Sequence, residues 1–256
     1  EYKEGMAYSY GDIRGTVFPR TGAPMSVRGK RLNYNEKIGQ VTLAGDVHSR
    51  QKGMVIQAGS FTYDERADRI LIANQTTVTL TKAKTPTEIR ALYGTVDPNS
   101  ETATLEGQVV ITQPGKVIMG STAVYSASKN QLIVSGLVQA YLDAGRTLIK
   151  KETAEKIRNR EAMEALQEKT QLACSYMVVS TVTGDLDVRG SVLVNQNKRQ
   201  ARASRGTYDD KKELITLYDD VYLAKGKDWL KAQKVLVSVK DQTFEAQNQV
   251  ETQFHF

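Results

Sequence analysis

The sequence is poor in the residues that carry most catalytic and metal chemistry. It contains one cysteine, Cys174, and two histidines, His48 and His255. A single cysteine excludes an internal disulfide and any thiolate metal cluster. No His-x-His or His-Glu-x-x-His pattern is present, which argues against a zinc site. Gly-x-Ser-x-Gly is absent. The glycines lie in strand-like segments with no helix after them, so they do not form a phosphate loop. No apolar run approaches the ~18 residues of a membrane-spanning helix, and no signal peptide is visible. The chain begins with Glu rather than Met, as a processed or trimmed product does.

What is present is globular in composition. The 256 residues are 40% hydrophobic and 25% charged, enough for one repetitive domain or two ordinary ones. The formal charge of +6 and pI of about 9.2 suit an anionic partner: a lipid headgroup, a phosphate-bearing glycan or nucleic acid. A solvated surface with excess lysine explains the same charge.

A short strand motif returns along the chain, first as VTLAGDV ending at Val47. Its closing valines fall at Val17, Val47, Val78, Val109, Val138, Val192, Val221 and Val250, in steps of 29 to 31 residues with one of 54. Between them runs a second pattern: apolar, any, small, two of any kind, apolar or small, any, then Tyr or Val. It is carried by Val27-Gly29-Leu32-Tyr34, Ile56-Ala58-Phe61-Tyr63, Ile89-Ala91-Gly94-Val96 and Ile118-Gly120-Ala123-Tyr125. It continues in Leu172-Cys174-Met177-Val179, Ala201-Ala203-Gly206-Tyr208 and Leu230-Ala232-Val235-Val237. Six of the seven copies end 13 residues before the next closing valine, whereas Tyr63 ends 15 before Val78.

Alternation at period two puts one set of side chains inward and the next outward. Val41, Leu43, Gly45 and Val47 form one inward set, and Thr42, Asp46 and His48 the outward one. The second strand type slips phase after its small residue, which predicts a β-bulge there. Clusters such as Asp64-Glu65-Arg66 and Asp97-Pro98-Asn99 read as turns. Each unit of about 30 residues is therefore two strands and two turns, amphipathic and unable to bury its apolar face alone. The expected fold is all-β: an elongated antiparallel structure of about seven such units over an apolar interior. Because Val17 has no second-type strand before it, the chain starts in mid-repeat.

Residues 146–171 break the pattern with helix formers and no Gly or Pro. They predict a helical insertion between an N-terminal β-jellyroll lobe, 1–145, and a C-terminal β-jellyroll lobe, 172–256, that is continuous with the first. The insertion reads as a tolerated surface helix, a clasp or a hinge.

Among polar clusters, Asp219-Asp220 replaces the usual Gly-x, which puts Asp219 inward by register; a rim charge paired with Lys225 or Lys227 fits it better than catalysis. Asp185 and Asp187 alternate on the outward face. Lys198, Arg199, Arg202 and Arg205 form a candidate phosphate-contact patch. Tyr34, Tyr63, Tyr125 and Tyr208 recur at one repeat position, as core or groove lining.

The stretch TATLEGQVVITQPGKVIMGSTAVYSASKNQLIVSGLVQAY, residues 102–141, resembles the OstA-like repeats of the lipopolysaccharide-transport proteins LptA, LptC and the periplasmic part of LptD. The likeness covers roughly residues 12–145 and 172–256. It implies a V-shaped β-jellyroll, open along one side, in the periplasm. Lipopolysaccharide acyl chains would lie inside, and similar jellyrolls would dock end to end by their edge strands. It brings no catalytic residues to carry over, and it allows a membrane-anchored partner or an inner-membrane anchor outside this chain; no cofactor is expected, and the lack of aromatic stacking positions beside the basic cluster speaks against nucleic acid. The groove would be lined by Val47, Tyr63, Val78, Val109, Ile111, Tyr125, Val138, Val192, Val194, Tyr208, Val221 and Val250. The resemblance leaves LptA-like, LptC-like and fused roles open. Two other readings stand beside it: an envelope β-solenoid that polymerises or tethers without lipid, and an enzyme acting on acidic polysaccharide.

Overall fold

The computed structural model describes residues 2–3, 5–20, 22–143, 168–238, 240–241 and 243–255. These residues are all-β. The strands are β1 Tyr2–Lys3, β2 Met6–Val17, β3 Met25–Asn35, β4 Gln40–Gln51, β5 Met54–Asp64, β6 Arg69–Leu80, β7 Thr87–Asp97, β8 Thr102–Gln113 and β9 Lys116–Ser126. They continue as β10 Gln131–Leu142, β11 Thr170–Ser180, β12 Leu186–Gln196, β13 Arg199–Asp209, β14 Leu214–Lys225, β15 Asp228–Ser238, β16 Thr243–Gln247 and β17 Glu251–Gln253. The chain divides into two compact units, Glu1–Thr112 with Ser121–Leu132, and Gln113–Gly120 with Ile133–Phe256.

In the first unit each strand from β2 to β8 pairs antiparallel with the next. In the second the same holds from β11 to β15, and both β16 and β17 pair with β15. The expected two-strand repeat of an antiparallel jellyroll is the observed fold.

Each strand pair from β2 to β8 and from β11 to β15 shifts register once, near mid-strand. Ala44 faces Ser60 and Val47 faces Ala58, so Gly45 and Asp46 oppose Gly59 alone. The extra residue therefore belongs to the closing strands, not to the strands with the small residue, where the phase slip predicted it. The backbone shows why. Gly45-Asp46, Gly107-Gln108, Gly136-Leu137, Gly190-Ser191 and Asp219-Asp220 all have positive φ. Two successive left-handed residues bend the strand sharply, and glycine takes that conformation without steric cost. The partner strand merely follows the corner, which is why Ala58 and Phe61 are both buried although two residues separate them.

This corner redefines the repeat. Counted from it, the residue equivalent to Val47 in β6 is Thr76, which follows the left-handed pair Asn74-Gln75. Thr76 lies 13 residues after Tyr63, so the irregular spacing at Val78 disappears. In β2 the equivalent is Ile13, which faces Gly29 just past the bulge, and not Val17 at the strand end.

No helix occurs among the described residues, and the expected helical insertion is not borne out. Its final residues, Thr170 and Gln171, already belong to β11. The rest of 146–171 up to residue 167 lies outside the described residues.

Candidate functional site

The second unit contains an apolar trough. Its floor lies beside the corners, where Met177, Val188, Val192, Val221, Ala232 and Val235 are buried. Its walls are two cross-strand rows. One runs Leu172, Val194, Ala201, Leu223, Leu230, each directly opposite the next. The other runs Val179, Leu186, Tyr208, Ile215, Val237 in the same way. All members except buried Tyr208 are half-buried, and five of them, with Ala201 among them, pack against the buried cluster of Ala203, Leu217 and Val221. Inward register fixes their direction, and among the described residues no further apolar row covers them. Beyond the first wall the rim is polar, with Gln196, Arg199, Lys225 and Asp228 in register.

The first unit treats the same rows differently. Ile56, Val78, Ile89 and Ile111 on one wall, and Tyr63, Ile70, Val96 and Ala103 on the other, are buried. A further row, Gln51, Met54, Leu80 and Thr87, is buried above them. The two rims meet here. Lys52 Nζ lies 3.9 Å from Glu101 Oε1. The segment after β2 crosses to the opposite rim: the backbone N–H of Arg20 donates to Asp68 Oδ1 at 3.1 Å, and the Tyr63 hydroxyl donates to the same oxygen at 2.7 Å. Gly22, at φ +96°, lies so close to Pro98 that a side chain would collide with the Pro98 carbonyl. Glycine is required there on both counts.

Burial, reinforced by the hydrogen bond to Asp68, pushes the Tyr63 hydroxyl up to about 12. Burial also raises Tyr125 and Tyr208, with nearby carboxylates adding to it. The Cys174 thiol is raised to about 11 by burial, so it acts as a core side chain. Lys116 is lowered by burial, against the pull of Asp210.

The expected lining residues divide into three groups. Val47, Tyr63, Val78, Val109, Ile111, Tyr125, Val138, Val192, Tyr208 and Val221 face inward and are buried. Val194 is half-buried on the open wall. Val250 is 48% exposed, a correction to its inward assignment. It lies between the short strands β16 and β17. The half-buried wall residues Leu172, Ala201, Leu223 and Leu230 are positions that valine counting missed; Leu172, Ala201 and Leu230 stand in the second repeat pattern, and Leu223 follows Val221 at period two.

The basic cluster is not brought together. Lys198 is exposed in a hairpin turn, and Arg199 binds Glu168 at 3.3 Å on the rim. Arg202 and Arg205 point to the outer face, where Arg205 binds Asp187 at 2.6 Å and stacks on Tyr218. Asp187 also binds Arg189, and these bonds, Arg189 foremost, hold its carboxyl below the usual range. Asp219 is not inward. It is exposed, at positive φ, in the corner, because the left-handed pair turns away from the floor.

A family model described as LptA/(LptD N-terminal domain) LPS transport protein matches residues 26–132 and 88–243. Among solved structures, this chain is similar to LptH, the LptA homologous periplasmic component of the lipopolysaccharide transport device from Pseudomonas aeruginosa. The identity is 12%, over 68% of this chain and 99% of that one, with a TM-score of 0.31. No curated protein matches.

Proposed function

Because the chain belongs to the LptA/(LptD N-terminal domain) family of LPS transport proteins, we propose that it shelters acyl chains of lipopolysaccharide in the trough of its second unit. The observation that carries this reading is the pair of half-buried apolar rows over a buried floor. Burying one methylene contributes about 0.8 kcal/mol. A chain of about a dozen carbons therefore represents roughly 10 kcal/mol, which a carrier must offset for lipid to leave a bilayer. A row of similar positions supplies that shelter without one deep well. In this reading the protein works in the periplasm, with the sugars of its cargo in water.

The edges suit a bridge. The strands at the ends of the described ladders are short of pairing: β1 holds only two residues of β2, and β16 and β17 are short strands that each pair with β15. Open edges recruit further strands, and here they would join similar jellyrolls end to end. Light scattering at rising concentration tests this: growth that stops on truncation after Ser238 supports it, and a monomer at all concentrations refutes it.

Substitution of Leu223 by Glu tests the cargo reading. It places a charge on the open wall, and the expected result is loss of lipopolysaccharide binding with the fold retained. Unchanged binding would remove the trough from the account. A tethering element without lipid is the second reading, favoured by the filled interior of the first unit; absence of bound lipid in both forms would select it.

A further inference from the structure

The outward face of the first unit holds a cluster that lipid carriage does not use. Arg14, Arg28 and His48 stand directly opposite one another across β2, β3 and β4, and Arg50 faces Ser26 in the adjacent row. With Val55 they line a concavity of about 480 Å³ into which no carboxylate projects. The neighbouring acids are bonded to cations other than Arg28 and Arg50. Asp12 Oδ2 accepts Arg14 Nη2 at 2.9 Å and Nε at 3.2 Å. Asp46 is bonded to Lys30, and that bond chiefly holds its carboxyl below the usual range, with His48 and Arg28 adding to it at longer reach. Among the described residues no carboxylate is bonded to Arg28 or Arg50. Gln57, opposite His48 on β5, is neutral.

Like charges directly opposite one another across strands are destabilising. Arg14 and Arg28 stand in that relation, and although Asp12 offsets Arg14, Arg28 and Arg50 have no carboxylate bonded to them among the described residues. A bound anion would relieve it. The guanidinium fork matches the oxygens of a phosphate, and small Ser26 leaves space between the arginines. We propose that this concavity binds a phosphate monoester, through Arg28 and Arg50 with His48 at its side. The site lies on the outward face, away from the apolar interior, so it goes beyond the lipid-carrying reading and stands or falls apart from it.

The test compares the wild-type chain with the double variant R28Q/R50Q by titration calorimetry. Glucose 1-phosphate serves as a soluble probe, and phosphatidylcholine vesicles containing phosphatidic acid serve as a lipid-borne one. The expected result is binding to at least one probe, weakened about tenfold or more in the variant, as loss of two charged hydrogen bonds requires. Binding of the soluble probe identifies a free phosphate ester as sufficient; binding of the vesicles alone identifies a headgroup at a membrane surface. The variant should also melt no lower than wild type, because repulsion is removed. Equal binding by both proteins, or binding of neither probe, overturns the proposal. A lower melting temperature together with unchanged binding would assign the arginines a packing role instead.

Discussion

Tyr63 and Asp68 are joined by a hydrogen bond of 2.7 Å, and the acceptor oxygen also receives the backbone N–H of Arg20, 48 residues earlier in the chain. One carboxylate thus ties a wall residue of the first unit to the segment that closes its mouth. Substituting Tyr63 by Phe should free half of that anchor. The expected cost is about 1 kcal/mol, the net worth of one such bond. Trypsin cleavage after Arg20 should quicken while the rest of the unit stays resistant; an unchanged cleavage rate would show that Pro98 and Gly22 hold the segment alone.

Alkaline pH should act on the same contact. Tyr63 is raised to about 12, and Tyr125 and Tyr208 are raised as well. The folded chain holds these protons more tightly than the unfolded one. Their contribution is therefore complete below the ordinary tyrosine value of about 10 and is lost as pH rises from there toward 12 and beyond. The denaturant midpoint should fall across that window, and an ultraviolet titration should show a late-ionising fraction of the 12 tyrosines. Tyrosines that all ionise together before unfolding would contradict this.

Thr76 occupies the repeat position filled by Val47, Val109 and Val138. It is 1% exposed, and its hydroxyl has no hydrogen-bond partner among the described residues. An unsatisfied buried hydroxyl costs about 1–3 kcal/mol, and valine has nearly the same shape. Thr76→Val should therefore raise the melting temperature. A fall would mean that the hydroxyl is satisfied by water.

Leu137 sits at φ 49° in the corner of β10 and is 89% exposed. A branched side chain in the left-handed region costs about 1–2 kcal/mol and here gains almost no burial in return. Leu137→Asn should stabilise the second unit's neighbouring strands by about 1 kcal/mol, since asparagine tolerates that conformation. Chemical denaturation reads the difference; a loss of stability would indicate that Leu137 is covered by a partner in solution.

Much of this fold was legible because strand alternation is local. Glycine followed by a polar residue marked the corners at Gly45-Asp46, Gly107-Gln108 and Gly190-Ser191, and the inward positions from Leu43 to Val221 follow from period two. The two miscounted positions, Val17 and Val78, look like Val47 in isolation; only pairing with Gly29 and Ala91 identifies Ile13 and Thr76 as the true equivalents. The extra residue was assigned to the wrong strand because a phase slip appears on both sides of a corner. The closure of the first unit was not legible at all, since Arg20–Asp68 and Lys52–Glu101 join residues far apart in sequence. The open trough was half legible: Leu172, Val179, Ala201, Tyr208, Leu230 and Val237 stand in the second repeat pattern, but the exposure of the walls depends on there being no covering row among the described residues.

The most direct test of the account places a photo-crosslinking amino acid at Leu223, on the open wall, and at Lys231, on the outer face of the neighbouring strand β15. Each protein is exposed to lipopolysaccharide and irradiated. The account predicts adducts at Leu223 and none at Lys231. Equal adducts at both positions, or adducts at Lys231 alone, would show lipid coating the surface and contradict it.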